Sequence, residues 1–170
     1  MDYFEYITKY NEIFDRMREL PYGEERFQLA DELVRFSQRN DQPSIQFHAR
    51  LCLVSSATFT GRIDRALVAF AWLLGKYDDD PETYSEYSHN LLWRYKWMVG
   101  NLADFPNFSR QEIMTRFDDI ERRFRDEGYN LRAYWQARGW YARSIRDPEG
   151  LAEALKKRNE YERDDISDCL

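Results

Sequence analysis

The chain has 170 residues, and a hydrophobic content of 43% is enough to bury the core of a single domain. Its net charge of -6 argues against general attraction to DNA, RNA or anionic membranes, because those polyanions attract basic surfaces. The two cysteines, Cys52 and Cys169, indicate no disulfide framework and a reducing compartment. Since the sequence has no signal pattern and no run of about eighteen apolar residues, it predicts a cytoplasmic protein without a membrane partner.

Glycines and prolines are few, and they fall between periodic stretches that they divide into eight segments. In chain order the segments cover approximately 2–20, 24–39, 44–60, 62–77, 82–102, 109–128, 131–146 and the residues from 147 onward. The sixth segment begins with Ser109 and has Glu112 three residues later, which is the capping-box pattern of a helix start. The eighth begins with Asp147 as a cap and Pro148 at the first helical position.

Hydrophobic residues recur at the three- and four-residue steps that are typical of helices. In the fourth segment these residues are Ile63, Ala66, Leu67, Phe70, Leu73 and Leu74. In the sixth they are Ile113, Met114, Phe117, Ile120 and Phe124. No strand-like alternation is sustained, and short connectors make successive helices antiparallel. The sequence therefore predicts an all-α chain of about four antiparallel helical hairpins.

Part of the fourth segment resembles the middle of a tetratricopeptide repeat (TPR), in which Gly, Ala and Phe occupy the offsets of Gly61, Ala66 and Phe70. Trp135 and Gly139 resemble the large and small residues of a TPR first helix, although the usual Leu before that glycine is replaced by Arg. The other hairpins match less well, so the strong resemblance covers about one repeat in four.

This resemblance implies a right-handed, TPR-like α-α superhelix, formed as a single domain over residues 1–163 with a polar C-terminal tail at 164–170. Residues 163–169 also resemble a segment of bacterial TPR proteins of uncharacterised function, in which further repeats follow. The charged composition of the eighth segment is instead typical of a solvent-facing terminal cap. The sequence leaves open whether more repeats belong to the stack.

Catalytic and metal-binding patterns are sparse. His48 and His89 lie in different segments, and neither has Cys, Asp or Glu at metal-ligand spacing. Cys52 shares a helical face with His48, but a helix interior does not provide the exposure and lowered pKa of a cysteine nucleophile. Acids of the sixth segment, including Asp119, lie beside arginines and predict a solvated, charge-paired face. We expect no enzyme activity, metal or cofactor.

The fifth segment carries apolar residues on two sides. Its main stripe, at 100° per residue, consists of Tyr84, Tyr87, Leu91, Tyr95, Met98, Val99 and Leu102. The opposite side presents Asn90, Trp93, Arg94 and Trp97. A helix with two apolar sides is typical of the middle of a stack, where it packs on two neighbours. In a second interpretation these four residues bind a partner, because aromatic and guanidinium groups are enriched at binding hot spots.

The seventh segment gathers Arg132, Gln136 and Arg143 on one face, with no acidic residue between 129 and 146. Guanidinium groups bind carboxylates and phosphates through paired hydrogen bonds, so this face is a candidate partner-binding surface. The alternative is that the arginines pair with acids of the sixth or eighth helix.

The pattern favours a non-catalytic scaffold that binds a protein or peptide on the concave face of the helical stack. The TPR resemblance implies that the third, fifth and seventh segments face this groove. The arginines of the seventh segment suit an acidic peptide or one that ends in a free carboxylate. One alternative is a helical-repeat protein that binds single-stranded nucleic acid, which the net charge disfavours. Another is an oligomerisation segment of a longer protein.

Overall fold

The computed structural model describes residues 2–167, and regular secondary structure in this range consists of helices, with no strand. The all-α prediction is therefore confirmed. The chain divides into two compact units, residues 1–87 and 88–170. Within residues 2–167, none of the helices combines the length and apolar character that a membrane crossing demands. Cys169 and the end of the predicted tail lie outside the described residues.

Unit 1 contains four long helices that follow one another closely. They are α1 (Tyr3–Glu19), α2 (Glu24–Ser37), α3 (Pro43–Phe59) and α4 (Ile63–Asp79), and a 3-10 turn follows at Ser85–Tyr87. Each helix packs on the next one along the chain. The tight connection between α3 and α4 contains Gly61, whose φ of 76° lies in the left-handed region that glycine adopts without a Cβ clash.

Helix α3 is buried on several sides because it packs against both α2 and α4. Its nearly continuous apolar sequence fits this position, and Leu51 at its centre is 2% exposed. Ion pairs join α4 and the residue before it to α2 at the surface: Arg62 lies 2.6 Å from Glu24, and Arg65 lies 2.6 Å from Asp31. Such exposed pairs add little free energy, so the apolar contacts of α3 hold unit 1 together.

Unit 2 contains the other four long helices. They are α5 (Ser88–Asn101), α6 (Arg110–Asp126), α7 (Arg132–Ser144) and α8 (Pro148–Arg158), and a 3-10 turn follows α5 at Leu102–Asp104. The predicted capping box of Ser109 and Glu112 is confirmed. Asp147 caps α8 as predicted, with its side chain accepting a hydrogen bond from the Gly150 N–H at 2.9 Å. Helix α7 contacts α5, α6 and α8.

The fifth helix begins later than the sequence predicts. Helical periodicity indicates a start near residue 82, whereas α5 begins at Ser88. The Asp80 side chain accepts a hydrogen bond from the Thr83 backbone N–H at 3.2 Å. This is the type of bond that caps a helix start, as at Asp147, but residues 81–87 form turns and a 3-10 segment, and the α-helix begins only at Ser88.

The first two tyrosines of the predicted α5 stripe belong to the core of unit 1. Tyr84 and Tyr87 stack on Phe47 of α3, with ring centroids 4.5 and 5.0 Å from the Phe47 centroid. The prediction that they share one helical face with Leu91 is therefore wrong, because their aromatic packing on α3 replaces the helix. The rest of the stripe, from Leu91 to Leu102, is buried.

Asp119 of α6 is a hydrogen-bonding centre within unit 2. Its carboxylate accepts hydrogen bonds from the Tyr95 hydroxyl at 2.9 Å and from Arg122 and Arg123 at 2.8 Å. Burial by itself raises the pKa of this carboxyl, but the bonds from Arg123, Arg122 and Tyr95 outweigh it and hold the pKa below its ordinary value. The predicted charge pairs are present, yet Asp119 is only 22% exposed and links α6 to α5.

We expect Asp119→Asn to lower the free energy of unfolding at neutral pH by about 1–3 kcal/mol, because charge-assisted hydrogen bonds are lost. Since folding lowers the pKa of Asp119, its contribution is complete above the unfolded-state pKa and is lost as pH falls through the folded-state value. Urea denaturation from neutral to acidic pH measures both effects. Asp118→Asn, on the exposed neighbour, is the control. Equal stabilities of the two variants at neutral pH would contradict this account.

Candidate functional site

Two of the four candidate residues on α5, Asn90 and Arg94, are joined by hydrogen bonds. The Nη1 of Arg94 donates a hydrogen bond to the backbone oxygen of Asn90 at 2.9 Å and lies 3.3 Å from its Oδ1. Asn90 is exposed and Arg94 is half-buried. The structure therefore places this polar pair along one turn of α5.

The two tryptophans of α5 form a half-buried pair. The rings of Trp93 and Trp97 meet edge to face, with centroids 6.3 Å apart. The Lys96 ammonium lies 3.5 Å from the centre of the Trp93 ring. Lys96 is 1% exposed and donates hydrogen bonds to the backbone oxygens of Ile166 and Ser167, at 2.9 and 3.1 Å. A buried cation of the same helix thus occupies one face of Trp93.

The first candidate of α7, Arg132, contacts the end of α8. Its Nη1 donates hydrogen bonds to the backbone oxygens of Arg158 and Tyr161, at 3.2 and 3.0 Å. The last carbonyls of a helix lack partners within the helix, so a guanidinium group there caps it. Arg132 therefore joins the start of α7 to the end of α8.

The remaining two candidates, Gln136 and Arg143, line a cleft between α7 and α8, which we call the α7–α8 cleft. Its volume is about 360 Å³, within the range of about 300–1,000 Å³ that is common for ligand sites. The lining residues are Trp135, Gln136, Gly139, Trp140, Arg143, Leu151, Leu155 and Arg158. The candidates of α5 thus contact one another in two pairs, Arg132 contacts the end of α8, and Gln136 and Arg143 line one cleft with new neighbours.

Trp140 is the exposed aromatic group of the cleft. It follows Gln136 by four residues and precedes Arg143 by three, so the three side chains share one face of α7. Gly100 of α5 leaves room for the ring, since a Cβ added there would lie 3.2 Å from Trp140 Cε3. Trp140 is 37% exposed, and Leu155 on the α8 wall is 46% exposed. Together they offer an apolar surface to another molecule.

Three polar groups of the cleft have no hydrogen-bond or ion-pair partner among the described residues. Gln136 Oε1 and Arg158 Nε are buried, and neither makes a hydrogen bond within residues 2–167. Arg143 is exposed and forms no ion pair within residues 2–167. The described lining includes two guanidinium groups and no carboxylate. Although the chain carries a net charge of -6, the cleft therefore favours anionic groups.

No family model, curated protein or solved structure matches the chain. The chemistry of the α7–α8 cleft therefore rests on its own residues. Sequence reasoning missed Trp140 and Arg158 as members of this site. Trp140 could have been found from its spacing, because it lies on the same helical face as Gln136 and Arg143. Arg158 lies on another helix, and only folding brings it to the cleft.

A larger groove, of about 600 Å³, lies between α1 and α2 of unit 1. Its charged residues are Lys9, Glu12, Arg16, Glu32, Arg35 and Arg39. Lys9 is paired with Glu5 at 2.6 Å, and Arg35 with Asp31 at 3.4 Å. Because the other charges include carboxylates as well as guanidinium groups, this groove selects no single ligand charge.

Both histidines contact tyrosine hydroxyls. The Tyr10 hydroxyl lies 2.7 Å from His48 Nδ1, and the Tyr129 hydroxyl lies 2.9 Å from His89 Nδ1. The pKa of Tyr10 is raised above its ordinary value, mainly by burial and to a smaller extent by the nearby Cys52. Over residues 2–167, no group of three or more His, Cys, Asp or Glu side chains is placed to hold a metal ion. The histidines join helices within each unit: α1 to α3 in unit 1, and α5 to the α6–α7 connection in unit 2.

Proposed function

We propose that this chain is a peptide-binding module, a TPR-like stack of helical hairpins that holds an acidic peptide segment in the α7–α8 cleft. One observation carries the proposal: an exposed indole and two guanidinium groups line one cleft without any carboxylate among the described lining residues. Tryptophan and arginine are the residue types most enriched at binding hot spots. The TPR resemblance of the fourth segment supports the same class of function.

The physical roles of the residues differ. Trp140 and Leu155 provide apolar contact for a Leu or Phe side chain of the peptide. Arg143, at the exposed rim, attracts a nearby carboxylate and adds specificity more than affinity. Since the chain as a whole is acidic, attraction of an acidic peptide is local to this cleft, and salt weakens it only moderately.

The test uses short fluorescein-labelled peptides in which a Leu or Phe is flanked by Glu, with matched peptides that carry Gln in place of Glu. We expect the acidic peptides to bind and the Gln peptides to bind more weakly. Trp140→Ala is expected to reduce affinity at least tenfold, and Arg143→Gln about threefold to tenfold. Fluorescence anisotropy gives the dissociation constants.

Arg110→Gln, which removes an exposed arginine at the start of α6, is the matched control and is expected to bind as the unchanged protein does. Circular dichroism checks that each variant is folded. Unchanged binding by a folded protein with both Trp140→Ala and Arg143→Gln would refute the cleft as the site. RNA binding that falls steeply with salt, without peptide binding, would assign the chain to nucleic acid instead. A dimer that Trp140→Ala dissociates would assign the cleft to a second copy.

A further inference from the structure

The two walls of the α7–α8 cleft carry one hydrogen-bond acceptor and one donor that have no partner in the part of the chain that the structure describes. Gln136 Oε1, on α7, accepts hydrogen bonds, and Arg158 Nε, on α8, donates them. Covered polar groups in proteins nearly always have partners, and leaving them unpaired costs free energy. Arg26 Nε, Ser88 Oγ and Arg132 Nε are also buried without a hydrogen bond within residues 2–167, but the cleft is where an acceptor and a donor line the same space, so a single occupant can supply both partners.

The chemistry of this pair restricts the occupant. A carboxylate or phosphate only accepts hydrogen bonds, so it pairs with Arg158 but cannot donate to Gln136 Oε1. A peptide main chain has an N–H donor and a C=O acceptor at each ordinary residue, so it satisfies both. Arg143 remains available for an acidic side chain of the same peptide.

We infer that the cleft holds the peptide by its main chain, with Gln136 accepting a bond from a peptide N–H and Arg158 donating to a peptide C=O. This inference rests on the proposed function and specifies how the peptide is recognised. Main-chain recognition tolerates different side chains, whereas Trp140 and Arg143 select the apolar and acidic positions.

The covered atoms become accessible by side-chain rotation. The terminal amide torsion of glutamine is broad, so Gln136 can turn its oxygen toward the cleft without backbone movement. Arg158 has several rotatable bonds, and it lines the α8 side of the cleft together with Leu151 and Leu155. Occupation of the cleft therefore exchanges two unpaired groups for two hydrogen bonds.

The test combines peptide and protein changes in a double-mutant cycle. The tightest-binding acidic peptide of the fluorescein-labelled set is methylated at one backbone nitrogen at a time, and in a second series one amide at a time is replaced by an ester. In the unchanged protein, methylation at one position is expected to weaken binding about five- to tenfold, because the bond to Gln136 is lost. In Gln136→Leu, methylation at that position is expected to have little effect.

Ester replacement weakens a carbonyl acceptor, so its effect is expected to depend on Arg158. The loss of affinity caused by ester replacement should be smaller in Arg158→Lys, which keeps the positive charge but lacks Nε. If methylation and ester replacement weaken binding equally in the unchanged protein and in both variants, the inference is overturned. The proposed peptide binding would still stand in that case. If none of the peptides binds the unchanged protein, the proposed function fails and the inference fails with it.

Discussion

Lys96→Ala is expected to destabilise the folded chain by about 2–4 kcal/mol. The ammonium of Lys96 donates hydrogen bonds to the backbone oxygens of Ile166 and Ser167 and lies over the Trp93 ring. Hydrogen bonds from charged donors contribute about 1.5–3 kcal/mol, and a desolvated cation–π contact about 2 kcal/mol, although such contributions do not simply add. Removal of the ammonium leaves two buried carbonyls short of a donor.

Urea denaturation followed by circular dichroism measures this loss. Lys156→Ala is the matched control, because Lys156 is exposed on α8 and its replacement is expected to change stability by less than about 0.5 kcal/mol. Lys96→Met separates the apolar stem from the ammonium, since it keeps an unbranched apolar side chain but loses both the hydrogen bonds and the charge over Trp93. A Lys96→Ala protein as stable as the control would show that the residues near 166 are held by other contacts.

Phe47→Ala is expected to destabilise unit 1 by about 3–5 kcal/mol, the usual cost of truncating a buried phenylalanine. Phe47 is completely buried and contacts three aromatic rings, those of Trp72, Tyr84 and Tyr87. The variant loses this apolar area and leaves a cavity that rigid neighbouring rings fill poorly.

Loss of stability should be accompanied by loss of near-ultraviolet circular dichroism, because the tyrosine rings that stack on Phe47 lose their fixed orientation. Phe4→Ala is the control: Phe4 on α1 is 83% exposed, so the same chemical change should have almost no effect on unfolding. Similar unfolding midpoints for the two variants would show that the aromatic cluster around Phe47 is dispensable.

Local patterns in the sequence were sufficient to predict the long helices, apart from the start of α5. Helix boundaries are marked by Ser109 with Glu112, by Asp147 with Pro148, and by Gly61. The hydrogen bonds and backbone angles at these boundaries involve only nearby residues. The start of α5 could not be predicted in this way, because Tyr84 leaves the helical pattern to stack on a ring of α3.

The candidate site depended on contacts between distant parts of the chain. Gln136 and Arg143 were predicted from one face of α7, but Arg158 joins them only because α8 packs against that helix. Lys96 illustrates the same limit. A lysine is ordinarily exposed, and the carbonyls that allow its burial lie about 70 residues further along the chain.

The distribution of tryptophans makes the two units optically distinct. Trp72 is the only indole of unit 1, whereas unit 2 has the edge-to-face pair Trp93 and Trp97 together with Trp135 and Trp140. In Trp72→Phe, all intrinsic indole emission therefore originates in unit 2. Energy transfer and exciton coupling between the paired indoles then report on α5. The melting of unit 2 can therefore be followed without an indole signal from unit 1.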